Sequence, residues 1–238
     1  MERVRVVNNI TKEYPDMFKI VIYHEPHVFV HNDRAKKRDY ESVEDYVPTY
    51  SSISRTRTLI KDIILCNDFE LFCTFTFDPK KIDSFNYNAV YGAMSRWLHH
   101  QQTKSREKNI SFSYLIVPEQ HKSGRWHFHA LISGYTGALK DSGLKTTSLR
   151  PIYNITSFRS GYTTAVPVDS REGVAEYVSK YITKEFIQMF NRKRFFCSRG
   201  LKRPVKSINS RVFSTTFPLF RRFVSSDNLQ SSFIIDKP

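Results

Sequence analysis

Residues 126–132 read Trp-His-Phe-His-Ala-Leu-Ile, and this alternation of apolar side chains with imidazoles predicts a β-strand. Side chains two positions apart on a strand lie on the same face, so His127 and His129 are expected to point in the same direction. Two imidazoles that share a face supply half of a typical metal site. This stretch therefore predicts a strand of the central sheet and two candidate metal ligands.

A second strand is predicted immediately before the first. Residues 112–119 are rich in aromatic and aliphatic side chains, and the Ser-Gly pair at 123–124 is a turn signal, so the two strands are expected to form a hairpin. A turn centred near 122–123 places Glu119 opposite His127 and on the same face of the sheet. The carboxylate would then complete a metal site of two histidines and one acid.

The identity of the third ligand depends on the register of this hairpin. A slip of one residue would turn Glu119 to the other face of the sheet. Gln120 or His121 could replace it as the third ligand. The sequence leaves these three candidates open, whereas the two histidines are common to every alternative.

An amphipathic helix is predicted farther along the chain. Residues 169–186 carry apolar side chains at helical spacing, and Asp169 with a glutamate three positions later is a signal for a helix N-terminus. Two phenols and two ammonium groups gather in an arc of about 100° beside the apolar face: Tyr177, Tyr181, Lys180 and Lys184. A tyrosine pair at this spacing is usually core packing, so its functional interpretation depends on the histidine strand.

Three segments together resemble a known family. Residues 71–79 read Leu-Phe-Cys-Thr-Phe-Thr-Phe-Asp-Pro, residues 127–129 are His-Phe-His, and residues 177–184 read Tyr-Val-Ser-Lys-Tyr-Ile-Thr-Lys. In content, order and spacing they resemble the motifs of the HUH endonuclease superfamily, specifically the two-tyrosine replication initiators of rolling-circle phages and related mobile elements. The likeness extends over residues 69–184, and the basic segment beyond is more weakly similar to the tails of phage-encoded members.

The resemblance implies an α+β fold in which helices flank a central antiparallel β-sheet, the RRM-like palm of HUH nucleases. The hydrophobic pattern predicts compatible elements: strands at 69–77, 111–118, 126–133 and about 150–157, and a helix at 86–104 before the tyrosine helix. The chain is expected to divide into three segments: an N-terminal extension at 1–68 with a basic helix near 52–65, the catalytic domain at 69–190, and a basic C-terminal segment at 191–238 that packs on or extends it.

The resemblance also implies a reaction. His127, His129 and Glu119 would hold a divalent metal ion, Mg²⁺ or Mn²⁺, and one tyrosine of the pair would attack a phosphodiester. The products would be a 5′-phosphotyrosine and a free 3′-hydroxyl that primes a polymerase. Lys180 and Lys184 would favour the phenolate and stabilise the pentacoordinate phosphorus.

A replication initiator of the rolling-circle type follows as the expected function. The second tyrosine lies about one helical turn from the first, where it could attack the regenerated origin at the end of a round. The sequence contains no P-loop pattern, so a host helicase and DNA polymerase are expected partners beside single-stranded or supercoiled origin DNA. The alternatives are a transposase or relaxase of the same superfamily and a basic DNA-binding protein without catalysis.

The charge of the chain favours a nucleic-acid partner. Lys and Arg number 37 against 23 Asp and Glu, a formal net charge of +14, and such a surplus attracts phosphate backbones. The candidate DNA-binding side chains fall in two clusters: Arg55, Arg57 and Lys61 in the predicted basic helix, and Arg192, Lys193, Arg194, Arg199, Lys202 and Arg203 downstream. Phenylalanines at 190, 195 and 196 lie among the second set, where they could stack on bases or pack in the core.

The remaining composition favours a reducing cytoplasm, which the resemblance implies is that of a bacterial host cell. The 3 cysteines are too few and too scattered for a disulfide framework, which indicates a reducing compartment. The sequence contains no apolar run of about 18 residues, so insertion into a membrane is not expected.

Overall fold

The computed structural model describes residues 3–31, 50–181, 194–209, 221–226 and 230–237. Along these residues the elements are, in order, β1 (Arg3–Glu13), β2 (Met17–His31), α1 (Tyr50–Leu65), β3 (Leu71–Phe77), α2 (Tyr87–Glu107), β4 (Ser113–Gln120), β5 (Trp126–Ser133), β6 (Leu139–Lys145), β7 (Pro151–Ile155), β8 (Gly161–Pro167), α3 (Arg171–Ser179), β9 (Phe196–Cys197), β10 (Val205–Asn209), β11 (Arg221–Ser226) and β12 (Gln230–Asp236). Within these segments, none of the helices has the length and apolar character needed to span a lipid bilayer.

The chain forms two compact units, residues 1–40 together with 202–238, and residues 41–201. The first unit contains an antiparallel sheet in the order β10-β1-β2-β12-β11, so that strands from both ends of the chain pair with one another. These boundaries differ from the three segments expected from the sequence. The catalytic role expected for 69–190 and the supporting role expected for the flanking segments stay predictions.

The second unit is built on a seven-stranded antiparallel sheet in the order β6-β7-β8-β3-β5-β4-β9. The histidine strand β5 lies in its interior, between β3 and β4. Together with the helices of the unit, this sheet confirms the predicted α+β fold with a central antiparallel sheet flanked by helices.

Helix α2 covers one face of this sheet. Alternate side chains of β3, among them Cys73 and Phe75, point to that face and are fully buried, as the two-residue period of a strand requires. They pack with Met94 and Trp97 of α2 and with Phe128 of β5 in one apolar cluster. The N-terminus of α2 is capped by the side chain of Asn86, a residue type that satisfies the first free amides of a helix.

Helices α1 and α3 pack on the opposite face. Ile60 and Ile63 of α1 and Val178 of α3 form a second cluster with Leu115 of β4 and Leu131 of β5. Helix α1 coincides with the helix predicted near 52–65, and its apolar side chains are buried against the sheet. The helix that carries Tyr177 lies on the same side of the sheet as the odd-numbered residues of β5.

The N-terminus of α3 differs by one residue from the prediction. Ser170, not Asp169, is the cap, because its side-chain oxygen accepts a hydrogen bond from the Gly173 amide at 3.0 Å. Asp169 instead forms an ion pair with Arg150 at 2.9 Å. Serine and aspartate are comparable caps, so the sequence signal could not separate two adjacent candidates.

Candidate active site

The β4–β5 hairpin has the register that places an acid beside the histidines. Glu119 is paired with His127, as predicted from a turn centred near 122–123. The turn is closed by a hydrogen bond from the His121 amide to the Arg125 carbonyl at 2.8 Å, and Gly124 adopts a φ of 84°. Glycine adopts this left-handed conformation at little cost.

Two threonines of β3 lie beside the imidazole rings and contact them on the same face of the sheet. His127 Nδ1 lies 3.1 Å from Thr76 Oγ1, and His129 Nδ1 lies 3.2 Å from Thr74 Oγ1. Each threonine pairs across the sheet with the histidine that it contacts. A hydrogen bond at Nδ1 selects the orientation of the ring and directs Nε2 outward, the nitrogen that would then be available to a metal ion.

Glu119 contacts the buried histidine directly. Its Oε2 atom lies 2.7 Å from His129 Nε2, and His129 is only 5% exposed. This hydrogen bond lowers the pKa of Glu119 and outweighs the opposing effect of partial burial, so the carboxylate is ionised at neutral pH. Burial is the main cause that lowers the pKa of His127, and electrostatic interaction with the His121 and His129 rings adds to it, so His127 is neutral there.

The other two candidates for a third ligand lie differently. Gln120 pairs with Trp126, and its side-chain amide donates a hydrogen bond to the Gly124 carbonyl at 3.0 Å inside the turn. His121 is exposed, and its ring centroid lies 5.7 Å from that of His127. Glu119 is thus the acidic side chain that the hairpin places against the histidines, with His121 at the edge of the group.

The two imidazoles and the carboxylate match the donor types of a two-histidine, one-carboxylate site, to which Mn²⁺ or Mg²⁺ is chemically suited. In the described part of the chain, however, no group of three His, Cys, Asp or Glu side chains is arranged so as to hold a metal ion. Glu119 bonds to His129 instead. Ion binding at this site would require that hydrogen bond to open, a rotation of one half-exposed side chain.

The two tyrosines, Tyr177 on α3 and Tyr181 just after it, lie over the histidine face. The ring of Tyr181 stacks on the ring of His129, with centroids 3.6 Å apart and an angle of 17° between the planes. The Tyr181 hydroxyl donates a hydrogen bond to the Tyr177 hydroxyl at 2.8 Å. Phe72 of β3 supports the pair through an edge contact with Tyr177, with centroids 5.3 Å apart. The phenols and the imidazoles therefore occupy one site.

The two phenols have different surroundings. Tyr177 is 46% exposed, whereas Tyr181 is half-buried against His129. Burial, the hydrogen bond to Tyr177 and the nearby Tyr177 and Glu119 charges all raise the pKa of Tyr181 well above its ordinary value. The Tyr181 hydroxyl consequently keeps its proton and donates it in the hydrogen bond, and the Tyr177 oxygen is the acceptor.

The predicted lysines are only partly described. Lys180 caps the C-terminus of α3, and its Nζ atom lies 5.9 Å from the centroid of the Tyr177 ring, within the range of a cation–π contact. Lys184 lies outside the described residues. A positive charge is therefore present beside the exposed phenol.

The candidate DNA-binding residues of α1 have mixed environments. Lys61 forms an ion pair with Glu176 of α3, with a distance of 2.5 Å between Nζ and Oε1. Arg55 is exposed and Arg57 is half-buried. Lys61 thus links α1 to the tyrosine helix, a role that sequence spacing did not reveal.

The downstream basic residues are divided between the two units. Arg194 donates a hydrogen bond to Thr56 of α1 at 3.1 Å, which joins the two basic clusters, and Arg199 is exposed nearby in sequence. Lys202 and Arg203 are exposed and belong to the other unit. Arg192 and Lys193 lie outside the described residues.

The aromatic residues of this segment follow the packing alternative where they are described. The ring of Phe196 lies 5.9 Å from that of Phe128, and Phe195 packs against the cluster formed by α1 and α3. Phe190 lies outside the described residues. The two described rings therefore contribute to the core of the second unit.

Comparison with known proteins locates the similarity in the segment that contains this site. Residues 70–186 match the family model for the replication-associated protein ORF2. Comparison with curated proteins and with solved structures finds no match. The matched residues include the histidine strand, Glu119 and both tyrosines. Over these residues the chain is similar to the replication-associated ORF2 family, and the similarity supports a role as a replication initiator.

Proposed function

We propose that this protein starts rolling-circle replication by nicking one strand of origin DNA with a tyrosine nucleophile and later rejoining it. The observation that carries the proposal is the stacking of Tyr181 on His129, with Tyr177 hydrogen-bonded beside it. This arrangement brings the phenols and the imidazoles together in one site, where a single DNA phosphate would contact both. The reaction class is that of an HUH endonuclease with strand-transfer activity.

His127, His129 and Glu119 are the residues that would hold Mg²⁺ or Mn²⁺. When bound, the ion would offset the negative charge of a nonbridging phosphate oxygen, which otherwise repels an incoming nucleophile. Thr74 and Thr76 act as positioning residues, because their hydroxyls hold the imidazole Nδ1 atoms. Such supporting hydrogen bonds are a regular part of histidine metal sites.

Tyr177 is the first nucleophile in this proposal. The Tyr177 residue is 46% exposed, and its oxygen accepts the hydrogen bond from Tyr181, which would stabilise the negative charge that develops as the phenol loses its proton to solvent. The phenolate oxygen bonds to phosphorus, and the bond from phosphorus to the 3′ oxygen breaks. The leaving oxygen takes up a proton and becomes the 3′-hydroxyl primer, and the 5′ side of the nick stays on Tyr177.

Tyr181 serves the second cleavage. Its hydroxyl lies 2.8 Å from the Tyr177 oxygen, so it reaches nearly the same place after rotating away from His129. The released 3′-hydroxyl then attacks the first phosphotyrosine and restores a diester. No ATP is needed, because the phosphotyrosine keeps the energy of the broken bond. Unwinding and synthesis would fall to a host helicase and DNA polymerase.

Adduct mapping tests the assignment directly. Single-stranded oligonucleotides that tile the replicon encoding the chain, labelled at the 3′ end, are incubated with the protein and Mn²⁺. We expect label to remain on the protein, and mass spectrometry to place it on Tyr177 in a single turnover. Tyr177→Phe should lose this first adduct, whereas Tyr181→Phe should keep it. An adduct on Tyr181 alone would reverse the order, and an adduct on neither would refute the nucleophile.

A DNA-binding protein without catalysis is the second candidate, and the net charge of +14 favours it. The two candidates differ in what a chelator does. Removal of divalent ions would abolish nicking by the enzyme but leave phosphate-driven binding in place. If supercoiled replicon DNA stays unnicked with Mn²⁺ present, the non-catalytic function is correct. A transposase or relaxase is less favoured, because the two tyrosines and the order of the motifs suit an initiator.

A further inference from the structure

A tyrosine of β8 stands on the histidine face without a role in the cleavage chemistry. Tyr162 pairs with Thr76 across β8 and β3, and Thr76 pairs with His127 across β3 and β5. Residues directly opposite each other in an antiparallel sheet point to the same face. Tyr162 therefore shares the face of His127, two strand spacings away, or about 10 Å.

Tyr162 is more accessible than either tyrosine of the nucleophile pair. It is 69% exposed. Helices α1 and α3 cover the same face of the sheet over Leu115 of β4 and Leu131 of β5, which are on other strands. The next outward residue of β8, Thr164, is also exposed. Strand β8 contains no acidic residue, so nothing in it repels a phosphate backbone. Among the described residues, Tyr162 and Thr164 thus form an exposed strip on the face of the sheet that carries the histidines.

The backbone before Tyr162 is held closely against β3. A Cβ atom on Gly161 would clash with the Thr76 carbonyl oxygen and would lie 2.9 Å from the Phe77 Cα atom, so only glycine fits there. This contact holds the start of β8 at the end of β3 that carries Thr76. The position of the Tyr162 ring relative to His127 is consequently set by rigid sheet and not by a loop.

We infer that Tyr162 is a base-stacking subsite for single-stranded DNA, which receives a base within a few nucleotides of the phosphate held at the histidines. The inference rests on the proposed function, since it takes the strand to be the one that is cleaved. An exposed aromatic ring on a sheet offers a flat surface to any base, and the surplus positive charge of the chain draws the backbone to it. Stacking of this kind tolerates different sequences.

Binding to oligo(dT) tests the subsite without knowledge of the origin. Fluorescence anisotropy is measured with EDTA present, so that cleavage chemistry makes no contribution. Tyr162→Ala should weaken binding by about 5- to 100-fold, the loss expected for one stacked base, and Tyr162→Phe should bind like the unaltered protein. The matched control is Tyr91→Ala, because Tyr91 is 41% exposed and lies on α2, behind the sheet. Equal losses from Tyr162→Ala and Tyr91→Ala, or no loss from Tyr162→Ala, would overturn the inference.

Photocrosslinking separates this inference from the proposed function. Oligo(dT) containing one 5-iododeoxyuridine is irradiated in the complex, and the crosslinked residue is mapped by mass spectrometry. A crosslink at Tyr162 supports the subsite even if no adduct ever forms on Tyr177 or Tyr181, in which case only the nicking proposal fails. Adduct formation with crosslinks confined to other residues refutes the subsite and leaves nicking intact.

Discussion

The two faces of the seven-stranded sheet use the same strands for different purposes. On β5, Phe128 and Ala130 point to α2 and are buried in an apolar core, whereas His127 and His129 point to the tyrosines. The face covered by α2, here called the rear face, holds no described group that the proposed chemistry needs. The face of α1 and α3, here called the front face, holds imidazoles, a carboxylate and phenols in contact. Alternation along one strand thus lets a rigid core position a polar site one residue away.

The largest difference between the faces should be seen in activity. His127→Ala with His129→Ala removes both imidazole donors and should reduce nicking by about a thousandfold or more, since metal charge stabilisation is worth several kcal/mol. His99→Ala with His100→Ala removes two exposed histidines from α2, behind the sheet, and should leave nicking unchanged. The rate on supercoiled replicon DNA is the measurement. Equal loss in both double variants would break the contrast between the faces.

The free energy of unfolding should depend more on the rear face than on the front face. Phe128→Ala leaves a cavity beneath Phe77 and Phe196 and should lower the free energy of unfolding by about 3–5 kcal/mol. Tyr162→Ala on the front face should change it by less than about 0.5 kcal/mol, because that ring is exposed. Urea denaturation followed by circular dichroism measures both. A small effect of Phe128→Ala would mean that the apolar cluster between the sheet and α2 is not the principal core.

The threonine hydroxyls beside the imidazoles should have an intermediate effect, which is seen in metal affinity. Thr76→Val keeps the shape of the side chain but removes the hydrogen bond to His127 Nδ1, and should weaken Mn²⁺ binding by about 10- to 100-fold. Thr164→Val is the matched control, because Thr164 lies on the same face and is exposed. Isothermal titration calorimetry gives both affinities. Unchanged Mn²⁺ affinity in Thr76→Val would show that the threonine does not position a ligand.

A smaller effect is expected from the hydrogen bond between the phenols. Tyr181→Phe retains the ring on His129 but removes the donor to the Tyr177 oxygen, and should slow the first cleavage by about tenfold, the worth of one such bond. The measurement is the single-turnover rate of adduct formation on Tyr177, compared between Tyr181→Phe and the unaltered protein at one pH. An unchanged rate in Tyr181→Phe would contradict the proposed role of this bond.

The smallest effect should come from the surface pair that joins α1 to α3. Lys61→Met breaks the ion pair with Glu176, and should lower the free energy of unfolding by no more than about 1 kcal/mol, because both groups are accessible to solvent. The salt dependence of DNA binding then distinguishes a structural lysine from a phosphate contact. A slope reduced by about 0.7–0.9 would assign Lys61 to the DNA after all.

Local pattern was sufficient for the hairpin and for the approximate positions of the helices. The alternation at 126–132 and the turn signal before it predicted the pairing of Glu119 with His127, and the hydrophobic pattern at 86–104 predicted helix α2. Each of these features depends on residues close together in sequence. The resemblance to replication initiators agrees with the family match to residues 70–186, while the HUH mechanism remains a proposal.

Features that depend on contacts between residues far apart in the chain could not be predicted from the sequence. The roles of Thr74 and Thr76 depend on β3 pairing with β5, which is some fifty residues away. Strand β8, with Tyr162, was not predicted, nor was the pairing of β1 with β10 that joins the two ends of the chain in one sheet. Long-range pairing is decided by tertiary packing, for which propensity is a weak guide.

The hydrogen bond between the two phenols has a consequence for the order of events in the proposed reaction. Once the Tyr177 oxygen carries a phosphoryl group, it is an ester oxygen and a much poorer acceptor, so the Tyr181 proton loses its partner. The Tyr181 side chain is thereby released only after Tyr177 has reacted. In this way the hydrogen bond between the phenols would exist only while no DNA strand is attached to Tyr177, and its loss would need no rearrangement of the backbone.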